Sequence, residues 1–129
     1  RNLLYQDPFF VFVVVAMVWP PEVGTPIHDH GTWGVVGVAN GMLNVTNYIR
    51  HDDGSRPGNA SLTELGTISA KARDLTHVMP PDEDIHKVWN STNEKSLSIH
   101  TYGKTIDHIN VFDIKANSVE QIELSYDNL

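Results

Sequence analysis

Short apolar, β-branched runs follow one another along the chain at intervals of roughly ten residues, each closed by a turn signal. No segment sustains the period of an amphipathic helix. A chain patterned this way cannot build a helical bundle or a βαβ unit. It predicts an all-β sandwich or barrel with little helix. Strands are expected over residues 3–5, 9–19, 34–39, 42–48, 61–69, 75–79, 85–89, 96–102, 109–114 and 119–124, the second ended by Pro20-Pro21. The 9–15 run has no polar alternation and reads as a strand buried on both faces, as does the run that starts at Gly34. Asn40-Gly41 sits between two strand patterns and predicts a type I′ hairpin turn. Residues 96–102 alternate cleanly: Ser98, His100 and Tyr102 should face one way, Leu97, Ile99 and Thr101 the other.

At 129 residues the chain is one domain's worth, 1–129, with enough length for a full core. It opens on Arg1 rather than methionine, so native sequence is expected before it. A net charge of −7 with nine Lys and Arg argues against nucleic acid or an anionic membrane as partner. No run reads as a membrane span or a signal peptide, and a cytoplasmic location is the expectation. The assembly is left open, with a homodimer as one option. The three Asn-X-Ser/Thr sequons, at Asn44, Asn59 and Asn90, read as chance matches. There are no cysteines, which excludes disulfides, thiolate metal ligands and a cysteine nucleophile together. A metal here must be held by His, Asp or Glu.

The stretch that carries the chemistry is Pro26-Ile27-His28-Asp29-His30. Two histidines two apart on a strand point to one face and can reach one ion. A third, His86, lies on its own candidate strand far downstream. Asp29, between the pair, should point away from the metal and serve a supporting bond. His51, His77 and His108 read as surface or loop histidines. Trp33 and Trp89, three residues beyond a candidate ligand, are expected to pack in the core, with a pocket wall as the alternative.

Gly24-Thr-Pro-Ile-His-Asp-His30 and Pro80-Pro-Asp-Glu-Asp-Ile-His-Lys-Val-Trp-Asn90 resemble the two cupin motifs. The resemblance implies a double-stranded β-helix, a jelly-roll-like barrel. Gly34 and Val35 stand where the common first motif carries a glutamate ligand, so the implied ligand set is His28, His30 and His86. Within the cupins the chain resembles the thiol dioxygenases, of the cysteine dioxygenase and 3-mercaptopropionate dioxygenase type. That resemblance implies Fe(II), with a small thiol and O2 as substrates. It also implies a Ser-His-Tyr relay, which falls on Ser98, His100 and Tyr102, and a substrate-carboxylate position, which falls on Arg1. Animal cysteine dioxygenases cross-link a cysteine to the relay tyrosine. The matching place is expected at Val35, so no cross-link can form.

The residue chemistry runs in parallel. Three neutral imidazoles leave the charge of a divalent ion uncompensated and favour an anionic ligand such as a thiolate. Three protein ligands also leave open positions, as in the facial triads of non-haem iron. Imidazole suits zinc equally, and three histidines plus water form a catalytic zinc site. Zinc or nickel would also be compatible with the ligand set in the purified protein. Two alternatives stay open beside the dioxygenase: a non-catalytic cupin that binds a metal or small molecule, and a zinc-dependent lyase or isomerase.

Overall fold

The structure is a computed structural model that describes residues 1–9 and 11–129. Two antiparallel sheets face each other, and no helix occurs among the described residues. The first sheet runs in the order β1 (Asn2–Gln6), β2 (Val13–Trp19), β9 (Ser96–Tyr102), β4 (Gly34–Asn40) and β7 (Leu75–Val78). The second runs β11 (Ser118–Glu123), β10 (His108–Asp113), β3 (Ile27–His28), β8 (Ile85–Trp89), β5 (Met42–Arg50) and β6 (Leu62–Lys71). Consecutive strands mostly alternate between sheets, so the chain wraps around its own core instead of forming a meander.

The core lies between the sheets because each strand turns one face inward. Val13, Val15, Tyr102, Ile106 and Ile109 fill one end, and Trp19, Val38, Leu43, Val45, Ala70 and Val88 fill the other. Val13 and Val15 are essentially fully buried, and burial of such side chains is worth about 1.5–3 kcal/mol each. Between the apolar clusters sit buried polar side chains: His28, His30, Asp84, His86, Ser98 and His100. A core that buries so many imidazoles must either satisfy them or use them.

The expected strands 85–89 and 96–102 coincide with β8 and β9, and the alternation along β9 is as expected, with Ser98, His100 and Tyr102 buried. Three expectations are corrected. The strand expected over 9–19 ends at Trp19 as expected but begins only at Val13 and buries one face; Phe9, Val11 and Val18 are exposed, and Phe10 lies outside the described residues. β4 likewise alternates, with Val36 and Val38 inward and Val35 outward. Asn40-Gly41 is not a hairpin: β4 and β5 belong to different sheets, and Gly41 alone of the two has positive φ, at 81°. The chain crosses between sheets there against β9. A Cβ on Gly41 would lie 3.0 Å from the Cα of Ser96, and the Ser96 hydroxyl bonds both the N–H and the carbonyl of Met42. Glycine is needed for that close approach as well as for its φ.

The tryptophans are also corrected. Trp33 is 39% exposed and Trp89 is half-buried, with the Lys87 ammonium 5.1 Å above its ring. Trp19 is the core tryptophan. Asn90, fully buried, donates through Nδ2 to the Trp19 carbonyl (3.0 Å) and the Glu94 carbonyl (2.6 Å), which ties the end of β8 to the end of β2.

Candidate metal centre

β3 and β8 pair antiparallel with His28 opposite His86. Directly opposed residues share a face, so the pairing alone brings two imidazoles together. β3 ends at His28, and His30 follows two residues later on the same side of the chain. The three ring centroids lie 4.7, 4.9 and 4.7 Å apart, and one nitrogen from each ring falls within 4.8 Å of the other two. Ligand bonds near 2 Å can close on one ion from such positions.

Two of the three rings are aimed by their other nitrogen. The carbonyl of Pro26 can only accept, so His28 Nδ1 carries the proton, donates to it at 2.9 Å and leaves Nε2 free. His30 Nδ1 donates to the Asp84 carboxylate (3.1 Å) and to the Asp84 carbonyl (3.0 Å). The same carboxylate accepts the backbone N–H groups of His30 and Gly31 at 3.1 and 3.0 Å, so Asp84 holds the whole corner. His30 Nε2 is then buried with no hydrogen-bond partner. An orphaned imidazole nitrogen facing two others is what a metal ligand looks like without its ion.

Burial, and then the neighbouring His30, push His28 down to about 4. Burial, and then His28 and His30, hold His86 well below the usual imidazole range. For a divalent ion the site offers three buried imidazoles with converging nitrogens. His28, His30 and His86 could hold a metal ion. Asp29 faces away, as expected, and its two carboxylate oxygens accept the N–H and the side-chain amide of Asn110 at 2.9 and 2.8 Å. His51, His77 and His108 bond to Thr63, Glu83 and Asp107 at the surface and take no part.

The opposite wall is β9, the central strand of the first sheet. Ser98 Oγ lies 2.7 Å from His100 Nε2, and His100 Nδ1 lies 2.9 Å from the Tyr102 hydroxyl. The Tyr102 ring stacks on His30, with centroids 5.7 Å apart. This links the row to the metal corner. Burial pushes the Tyr102 hydroxyl well above the usual phenol range, so it holds its proton at neutral pH. Burial, and then His30 and His28, push His100 down to about 3, so it is neutral. Tyr102 can lie there because its cross-strand partner is Gly34: a Cβ on Gly34 would come within 2.7 Å of the ring. The residue that faces Tyr102 is therefore Gly34 and not Val35, whose partner is Thr101. The expected place of the cross-link is corrected by one residue. Neither residue is a cysteine.

A cavity of about 280 Å³ is lined by His28, His30, Tyr102 and Arg1, with apolar walls that include Met17, Ile106 and Ile109. Arg1 is held in place: Nη2 donates to the Ile106 carbonyl at 2.6 Å, Nη1 to the Ser125 carbonyl at 3.4 Å, and the guanidinium lies 4.3 Å from the Tyr126 ring centroid.

The family model for cysteine dioxygenase type I matches residues 7–115. The chain belongs to that family. Its barrel is that of the cupins. Solved structures with the same fold include oxalate oxidase, at 17% identity and a TM-score of 0.59, over 79% of this chain and 46% of that one. The Schizosaccharomyces pombe Cnp3 cupin domain matches at 14% identity and a TM-score of 0.59, over 81% of this chain and 59% of that one. A Silicibacter pomeroyi sugar phosphate isomerase of the cupin superfamily matches at 16% identity and 0.57, over 87% and 67%. The chain spans about half the length of the oxalate oxidase. Such distant structures share the double-stranded β-helix and carry different activities, so function has to be argued from the site. No helix among the described residues is long and apolar enough to cross a membrane.

Two participants went unseen in the sequence, Asp84 and Trp19. Asp84 lies two residues before His86, just ahead of β8, and that spacing is its only signal. Trp19 Nε1 donates to Ser98 Oγ at 2.8 Å. Nothing near Trp19 in the chain marks it.

Proposed function

We propose that this protein is an Fe(II)-dependent thiol dioxygenase that oxidises a small carboxylated thiol, of the cysteine or 3-mercaptopropionate type, to its sulfinate. The observation that carries the reading is three convergent, buried imidazoles beside a Ser-His-Tyr row, with His28, His30 and Tyr102 lining one cavity, in a chain of the cysteine dioxygenase type I family. The net reaction adds both atoms of O2 to the thiol sulfur, RSH + O2 → RSO2H, and needs no outside reductant. Iron would supply open coordination positions at which a thiolate and dioxygen can meet.

The chain's own residues do the rest. The uncharged ligand set favours an anionic sulfur over a neutral one. The apolar walls keep bulk water from the reacting atoms. Tyr102, oriented by His100, offers a hydroxyl proton into the cavity it lines. Arg1 binds the carboxylate of the thiol. Two of its five N–H donors are committed to carbonyls, which fixes the fork and leaves the others for a substrate. Metal content of the purified protein separates iron from zinc.

Arg1 gives the test of substrate class. Arg1→Gln is expected to weaken carboxylated thiols by roughly 1.5–3 kcal/mol, the worth of a hydrogen bond to a charged group. Cysteamine, which has no carboxylate, should be unaffected. Turnover of each thiol by parent and variant checks this. An equal loss on cysteamine and cysteine would make Arg1 a structural residue.

A further inference from the structure

We propose that Trp19 sets the direction of the proton row on β9: its indole N–H, through Ser98, holds His100 as the Nδ1-protonated tautomer and so turns the Tyr102 hydroxyl proton toward the cavity. Its consequence for turnover rests on the dioxygenase reading; the tautomer itself does not.

Direction follows from counting donors. An indole nitrogen can only donate. Its hydrogen bond to Ser98 Oγ, at 2.8 Å, therefore uses one of the two lone pairs of the serine. The register puts Ser98 opposite Met17 and Ser96 opposite Trp19, so the indole reaches diagonally across to Ser98. Ser98 is fully buried, and its other bond is to His100 Nε2 at 2.7 Å. The single serine proton has that nitrogen as its acceptor. Nε2 then accepts, and a neutral imidazole with its acceptor there carries its proton on Nδ1. That proton is donated to the Tyr102 oxygen at 2.9 Å. The Tyr102 hydroxyl receives from His100 and must give its own proton elsewhere. The side open to it is the cavity that Tyr102 lines with His28 and His30.

The reverse row is chemically complete only without Trp19. In it Tyr102 donates to Nδ1, Nε2–H donates to Ser98, and the serine proton points at the position of the indole N–H. With the indole present, that serine proton is buried and unpaired. Such a defect disfavours the reversed row by a population ratio of roughly 5–150. Trp19 is thus a positioning residue: it touches neither metal nor substrate through its N–H, and it acts two hydrogen bonds away from the tyrosine. The indole itself is fixed, with its ring in the apolar cluster of Val38, Leu43 and Val88 and its carbonyl bonded by Asn90.

The test is nitrogen NMR of His100 in the zinc-loaded protein, where the two neutral tautomers give distinct ¹⁵N shifts. The parent should show protonated Nδ1 and acceptor Nε2. Trp19→Phe keeps an aromatic ring in the core and removes the donor. It should raise the Nε2-protonated form from a minor species to a share comparable with the other. Ser98→Ala interrupts the same route and should also release the preference, which keeps the test open if Trp19→Phe folds poorly. An Nε2-protonated His100 in the parent, or an unchanged single tautomer in both variants, would overturn the proposal. A parent with the expected tautomer but no thiol-dependent oxygen uptake would sink the dioxygenase reading and leave the role of Trp19 standing.

Discussion

His86→Ala is expected to abolish stoichiometric metal binding while the barrel stays folded. His86 faces His28 across the β3–β8 pair, so its removal leaves two imidazoles on one short segment. Substitution of a partner that only supports a ligand typically costs about 10–100-fold in affinity. Loss of the ligand itself should exceed that. No cysteine exists in the chain to replace it, and the nearby Asp84 carboxylate is already committed to His30 and Gly31. The fold should survive because the ring is polar and hemmed in by other rings, so its removal relieves crowding as well as leaving a cavity. Elemental analysis and circular dichroism check the two halves separately. Full metal occupancy in a folded variant would show that His86 is not a ligand.

Tyr102→Phe should lower kcat/KM by about 10²–10⁴-fold, the usual worth of a positioned proton donor, with metal content unchanged. The phenyl ring keeps its stacking on His30 and its place over Gly34, so the pocket keeps its shape. What goes is the hydroxyl, the end of the row from Trp19 through Ser98 and His100. His100 Nδ1 is left buried without its partner, which should cost about 1–3 kcal/mol of stability. A thermal melt read beside the kinetics separates that cost from the catalytic one. Undiminished turnover in the variant would show that no proton passes through Tyr102.

Much of this site is legible in the sequence because β structure has a period of two. His28 and His30, and Ser98, His100 and Tyr102, share faces by spacing alone, and β8 and β9 are bounded by clear turn residues. What spacing cannot show is which strands become neighbours. Asn40-Gly41 has the local chemistry of a hairpin, yet the strands on either side join different sheets, and only the contact of Gly41 with Ser96 reveals it. Trp19 reads as the end of an apolar run, and its bond to Ser98 depends on the β2–β9 register. Asp84 reads as part of a turn until the β3–β8 pair brings it beside His30. The start of β2 is hidden for a similar reason: apolar residues continue on both sides of Val13, and pairing with Tyr102 decides where the strand begins. The place facing Tyr102 is misjudged by one residue because motif counting ignores the pairing that puts Gly34 there.

Thiol dioxygenation is tested most directly by loading the purified protein with Fe(II) and supplying cysteine, 3-mercaptopropionate or cysteamine under oxygen. Dioxygen consumed and sulfinate formed are then measured together. Thiol-dependent uptake with one sulfinate produced per O2, greatest for a carboxylated thiol, is the expected result. Stoichiometric iron with no uptake on any of the three thiols, or uptake that yields disulfide and no sulfinate, would contradict it.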